Sequence, residues 1–302
     1  EDGFMNTAEK RSSDLTCGPI TKSMLRFALP MILGNLLQQF YNVADTLIVG
    51  QFLGADALAA VGSSYTLMTF LTSILLGLCM GSGAVFSIRC GERDEKGLQE
   101  GIVHSFVMIA SLAVLLNLLV FCFIDPILVF LQVPEEIYGM MREYVWVIFW
   151  GILATFFYNF YASLLRAVGN SVTPLVFLAV CAVLNILLDL LFVVVFHWGV
   201  AGAAAATVLS QYLSGLGLLL YSWIFFPACR MLPGRVKFQK RVFGEIGQFS
   251  VLTCLQQSVM NLGILMVQGL VNSCGPAGRA AVAAAGRRAS GAYMPGQDSG
   301  MG

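Results

Sequence analysis

Seven stretches of mostly apolar residues, at about 25–50, 64–88, 101–124, 140–165, 174–197, 200–226 and 246–272, are separated by short polar junctions. No other feature narrows the fold as much. A helix needs roughly 20 apolar residues to cross the ~30 Å hydrocarbon core of a bilayer. Hydrocarbon offers the backbone no water, so only helices and closed barrels can span it. The alternating pattern of a barrel strand is missing. The sequence therefore predicts an all-α integral membrane protein. Composition agrees, with 58% hydrophobic and 11% charged residues, where a soluble domain carries about 25% charge.

The formal net charge is zero, which removes the basic field that would recruit nucleic acid. The distribution of charge says more. With the N-terminus inside, the cytoplasmic segments hold Lys10, Arg11, Lys22 and Arg26, then Arg89, Arg93 and Lys96, then Arg166, then Arg230, Arg235, Lys237, Lys240 and Arg241. The three complete outer loops hold no Lys or Arg. This positive-inside bias predicts a multi-pass protein of the cytoplasmic (inner or plasma) membrane with a cytoplasmic N-terminus. The polar opening residues lack the apolar core of a signal peptide, and the Glu1 start, with Met5 after it, points to a true start that differs from the printed one. The eight cysteines are scattered without a CxxC pair and read as reduced packing residues.

Within the first span, QFYNVADTLIVGQFLG places Asp45 in a segment otherwise suited to hydrocarbon. A carboxylate there costs a few kcal/mol on insertion scales, about 2.5–3.5 at a helix centre. The fifth span carries a second acid, Asp189, with Asn185 four residues earlier on the same helical face. Gln38, Tyr41, Asn42 and Asp45 form a polar stripe on the first helix. The sixth span adds Thr207, with Ser210 and Gln211 on the next turn. If these three helices face one another, Asp45, Asn185, Asp189 and Thr207 converge on an oxygen-rich pocket suited to sodium or a proton. The plainer alternative is that each acid is a structural partner neutralised by a neighbouring helix. Thr207 alone is satisfied equally well by the carbonyl of the preceding turn.

Other polar residues fit duller roles. His197 beside Trp198 reads as an interface pair, and His104 has no acid-base partner nearby in sequence. Arg142 and Glu143 belong near the outer end of the fourth span. Tyr144, Tyr158 and Asn159 line a cavity or pack. Gly77 and Gly81 form a GxxxG, and the run after Gly199 is rich in small residues, both allowing close helix approach. Pro30 removes a backbone bond inside the first span and should bend it. GxxxxGK[ST], HExxH and GxSxG are all missing, so the chain reads as no enzyme, with energy drawn from an ion gradient.

Three segments, FALPMILGNLLQQFYNVADTLIVGQFLGADALAAVG, LLRAVGNSVTP and LNILLDLLFVVVFHWGVAGAAAATVLSQ, together resemble the multidrug and toxic compound extrusion (MATE) family, over about Gly18 to Gly275. The resemblance implies twelve helices in two six-helix lobes, and antiport of organic, often cationic, drugs or metabolites against sodium or protons. It implies a cation site at Asp45, Asn185, Asp189 and Thr207, cavity positions at Tyr41, Tyr144 and Asn159, and a helix bend at Pro30. On this pattern residues 1–23 form a cytoplasmic tail, 24–226 the first six-helix lobe, 227–245 a basic cytoplasmic linker, and 246–302 the start of the second lobe. That last part holds a seventh helix and an atypical, truncated tail. No cofactor is implied beyond Na+ or H+ as coupling ion. The implied partners are small organic substrates and membrane lipid, with no nucleic acid and no obligate protein partner.

An internal echo supports the two-lobe pattern. LLQQFYNVADTLIVG in the first span is repeated loosely as CLQQSVMNLGILMVQG in the seventh, with Gly263 where Asp45 stands. Two alternatives remain. The wider group includes flippases of lipid-linked oligosaccharides, whose anionic cargo calls for basic residues inside the spans, and none is evident. A non-transporting fragment is the other, because the printed chain stops about one span into the second lobe, in a Gly-, Ala- and Arg-rich tail with Arg279, Arg287 and Arg288.

Overall fold

The computed structural model describes residues 20–131, 133–226 and 240–273. The N-terminal tail, the linker residues 227–239 and the arginine-rich end therefore lie outside the described residues. What is described is helical: α1 (Ile20–Leu53), α2 (Ala55–Gly91), α3 (Glu95–Phe130), α4 (Glu135–Ile148), α5 (Ile152–Ala167), α6 (Val172–Asp189), α7 (Gly199–Phe225) and α8 (Lys240–Ser273). A 3-10 turn, Phe149–Gly151, joins α4 to α5, and a π-helical turn, Leu190–Val195, extends α6.

Five of these units are long and apolar enough to cross a membrane: α2, α3, the joined α4 and α5, α6 with its π turn, and α7. α1 and α8 are 34 residues each. α1 carries the polar residues Asn35, Gln38, Gln39, Asn42 and Asp45, and α8 carries Gln248, Gln256 and Gln257. Both helices pack onto the others, α1 on α6 and α2, and α8 on α2 and α3. Seven membrane-crossing segments were expected; among the described residues five helices are long and apolar enough to cross, and α1 and α8, which hold the first and seventh expected segments, pack beside them.

Helix ends overshoot the apolar stretches because the first and last turns carry the polar groups that meet water. α2 begins at Ala55, just after Gly54 takes a φ of 90° to reverse the chain from α1, a value that suits glycine. Asp94 caps α3 by accepting from the Gly97 N–H at 3.0 Å, the ordinary use of Asp at that position. α3 was expected to stop near 124 but continues to Phe130 across a kink at Phe123. Pro126, three residues on, supplies the cause, since its ring and missing N–H break the preceding turn. α1 stays helical through Pro30.

Large side chains fill the interior. Phe86, Phe149, Phe156 and Phe160 are fully buried, and Phe106 packs edge-on to Phe160 and tilted against Phe156. Exposed Val107, Leu115, Leu118 and Leu119 on α3 face outward, where lipid rather than water would receive them. The GxxxG of α2 does what its spacing promises. A Cβ on Gly77 would sit 2.5 Å from Cys254 Cα, and one on Gly81 would sit 2.5 Å from Ser250 Cα. The backbones of α2 and α8 therefore touch, and Ser82 and Ser250 hydrogen-bond across the seam at 3.2 Å.

Candidate functional site

α1, α4, α6 and α7 bring one polar group each, or more, to a common place inside the bundle. α6 contributes Asn185 and Asp189, both with no exposed surface. They share a face because they are four residues apart. α7 contributes Thr207, 6% exposed, and α4 contributes Tyr144, 7% exposed. α1 contributes Tyr41 and Asp45, also four residues apart.

The contacts run as follows. Asn185 donates Nδ2–H to Thr207 Oγ1 at 3.2 Å, and the Thr207 hydroxyl donates to the Ala203 carbonyl at 3.1 Å. Tyr41 stands within hydrogen-bonding reach of Thr207. The carboxyl groups of Asp45 and Asp189 stand within reach of each other. Tyr144 lies in the field of Asp45, Tyr41 and Asp189. Ser210 donates to the Thr207 carbonyl at 3.0 Å, and with Ser214 it surrounds the Cys181 thiol next to Tyr41.

What these atoms lack matters most. Asp45 Oδ1, Asn185 Oδ1 and both carboxylate oxygens of Asp189 are buried with no hydrogen-bond donor among the described residues. Neither acid takes part in an ion pair there. Two ionised carboxylates cannot hydrogen-bond each other, since neither has a proton to donate. At about 4 Å and an effective dielectric of about 20 their repulsion is roughly 4 kcal/mol. A shared proton, or a hard monovalent cation held by the four orphaned oxygens, removes that repulsion and satisfies the acceptors together. Among the described residues no group of three or more His, Cys, Asp or Glu is arranged to hold a metal ion.

The remaining sequence candidates sit elsewhere. Asn159 donates to the Thr155 carbonyl of its own helix at 2.8 Å, outside these contacts. Pro30 lies about 22 Å from Asp45 along α1 at 1.5 Å per residue. His104 is buried with Nδ1 2.7 Å from the Glu100 carbonyl. His197, at a φ of 54°, is exposed at the end of the π turn beside the ring cluster of Phe192, Phe196 and Trp198. Tyr158 donates to the Pro174 carbonyl at 3.1 Å. Arg142 pairs with Asp125 at the end of α3, Nε to Oδ1 at 2.7 Å, joined there by the Tyr138 hydroxyl at 3.0 Å.

Sequence reasoning did not anticipate the π turn that starts at Leu190, immediately after Asp189. Such turns gather at functional sites in helices. The run LLFVVV offers a partial signal, since β-branched side chains crowd the preceding helical turn.

Comparison with known proteins comes to the same chain region. The MatE family model matches residues 30–191. The probable multidrug resistance protein YpnP of Bacillus subtilis (strain 168) is 34% identical over 265 residues, 88% of this chain and 59% of that protein. The probable multidrug resistance protein NorM of Thermotoga maritima is 26% identical over 83% of this chain and 55% of its own length. This chain thus spans somewhat more than half the length of these curated relatives. Among solved structures, an outward-facing multidrug resistance MATE family transporter of the MOP superfamily superposes with a TM-score of 0.84 at 24% identity, over 96% of this chain and 65% of that one. A MATE structure in the straight conformation gives 0.84 at 25% identity, and one in the bent conformation gives 0.85 at 24%. Each covers at least 95% of this chain.

Proposed function

The chain belongs to the MatE family, and on that premise we propose that Asp45, Asn185, Asp189 and Thr207 are the cation site of an antiporter that exports organic, often cationic, drugs or metabolites against sodium or protons. Residues 24–226 would be the first six-helix lobe, with the N-terminus cytoplasmic, and α8 would open the second. The observation that carries this reading is the cluster of four buried oxygens without a donor on Asp45, Asn185 and Asp189. The relatives' names as multidrug resistance proteins support the cargo class.

The mechanism follows from where the acids sit. Asp45 is on α1 and Asp189 is on α6, so the charge between them is a force between two helices. With the site empty of cation, the carboxylates repel and favour α1 held away from α6. A sodium ion or proton cancels the repulsion and draws both helices to one occupant. An ion that binds one arrangement better than the other shifts the population toward it by its differential affinity, and about 5.5 kcal/mol moves the ratio from 1:99 to 99:1. Repulsion of roughly 4 kcal/mol is of that order. Asn185 and Thr207 then act as neutral oxygen donors, with Tyr41 holding the Thr207 hydroxyl. Movement of α1 changes the shape of the cavity beside it and releases cargo outward.

The test is dye movement in inverted vesicles containing this chain, with sodium and pH gradients imposed separately, beside the Asp45→Asn, Asp189→Asn double variant. Gradient-driven movement abolished in the variant supports the proposal. Equal movement by both refutes it.

A further inference from the structure

The fourth span changes its winding at mid-length. Three side chains from three helices fall on three successive carbonyls of the 3-10 turn. Asn117 of α3 donates Nδ2–H to the Phe149 carbonyl at 2.7 Å, Tyr212 of α7 donates its hydroxyl to the Trp150 carbonyl at 2.9 Å, and the Thr155 hydroxyl of α5 lies 3.0 Å from the Gly151 carbonyl. Thr155 is also 3.0 Å from Gln211 Oε1 of α7. With one proton it serves one of these acceptors at a time. Gly151 admits α7 closely: a Cβ there would meet Val208 Cγ2 at 3.1 Å and Gln211 Oε1 at 3.3 Å.

No proline lies in YVWVIFWGILATF to force the turn. The turn is instead held from outside. A 3-10 turn advances each residue by about 120° where an α-helix advances 100°, so three residues rotate α5 by about 60° relative to α4. Overwound turns inside long helices often mark hinges. Tyr144, in the field of the two carboxylates, stands one helical turn before Ile148, where α4 meets this turn. One stretch of α7 touches both places. Thr207 belongs to the oxygen cluster, while Val208, Gln211 and Tyr212 meet the 3-10 turn.

We propose that Asn117 and Tyr212 are positioning residues for the cation site: they hold the Phe149–Gly151 turn wound, and through residues 207–212 of α7 this winding and the filling of the Asp45/Asp189 pair bias each other. This rests on the reading of that pair as a cation site. By linkage the bias is reciprocal, so loosening the turn must shift cation affinity.

The reporter is built in. Trp150 lies in the turn and Trp146 one helical turn before it, with ring centroids 6.1 Å apart and both packed on Phe121. The chain has four tryptophans, so Trp198→Phe and Trp223→Phe leave fluorescence reporting from the turn. The purified 302-residue chain in lipid is titrated with sodium at fixed pH, and with pH in the absence of sodium. The expected result is a fluorescence response that Asp189→Asn abolishes and whose midpoint Tyr212→Phe shifts about fivefold, the effect of one hydrogen bond of ordinary net strength. Asn117→Ser shifts it likewise. Should that buried variant fail to fold, Tyr212→Phe carries the test, since it removes one oxygen at a half-buried position. A response abolished by Asp189→Asn but unshifted by Tyr212→Phe overturns the coupling and leaves the cation site standing. No response to either ion in the parent overturns both.

Discussion

Replacing Gly81 with alanine puts the seam between α2 and α8 to a quantitative test. The new Cβ would lie 2.5 Å from Ser250 Cα, 2.7 Å from the Phe249 carbonyl oxygen and 2.8 Å from its carbon. All three are backbone atoms, so no side-chain rotation relieves the clash. The helices must separate from 2.5 Å to the 3.4 Å at which ordinary contact begins, a shift of about 0.9 Å. That shift stretches the Ser82–Ser250 hydrogen bond from 3.2 Å and the Ser250–Leu78 carbonyl bond from 3.3 Å beyond useful length. Overpacking typically costs about 1–3 kcal/mol, offset by about 1 kcal/mol from replacing a helical glycine. Gly62 on the same helix supplies the control, because nothing lies within 4 Å of its Cβ position. Gly62→Ala should therefore hold or raise the thermal midpoint of the purified chain in detergent. Gly81→Ala and Gly77→Ala should lower it by an amount equivalent to up to about 2 kcal/mol, and each should melt below Gly62→Ala by an amount equivalent to about 1–3 kcal/mol. A Gly81→Ala chain that melts with Gly62→Ala would show that the two backbones do not touch.

Other expectations follow from single contacts. Thr207→Val leaves Asn185 Nδ2 without its acceptor and should weaken ion binding while costing about 1–2 kcal/mol of stability, measured by ion titration and melting. Arg89 and Glu245 meet at 2.8 Å at the end of the α2–α8 seam, each about a third exposed; a double-mutant cycle should give a coupling of at most about 1 kcal/mol that fades with salt. Cys122 is exposed and Cys79 fully buried, so a lipid-permeable maleimide should label Cys122 in the folded chain and Cys79 after unfolding, as read by mass spectrometry. Pro126→Ala should remove the break at Phe123 and lengthen a spin-label distance between the two ends of α3.

The acids were legible in the sequence for a simple reason. A carboxylate in an apolar span has few ways to exist, so Asp45 and Asp189 stood out without any knowledge of contacts. The helical spacing then carried Asn185 and Tyr41 with them, and both stand beside the acids. Thr207 was harder, because a threonine satisfies itself on its own helix, as this one does with Ala203 while also accepting from Asn185. Asn159, expected at a cavity from the resemblance, donates its amide to the Thr155 carbonyl of its own helix. The Phe149–Gly151 turn had no local signal, since its winding is held by Asn117 and Tyr212, distant in sequence. The glycine spacing announced a close helix contact on α2 but could not name α8 as its partner, because any backbone fits such a groove.

The central claim is that the Asp45 and Asp189 carboxyl groups hold the coupling ion. Infrared difference spectra of the purified chain in lipid, recorded on a step in pH and on a step in sodium, observe those carboxyl groups directly. The account predicts a carboxyl band that appears or vanishes with the step and is lost in Asp189→Asn and altered in Asp45→Asn. Spectra that respond to the ion identically in the parent and in the double variant would place the ion elsewhere and contradict it.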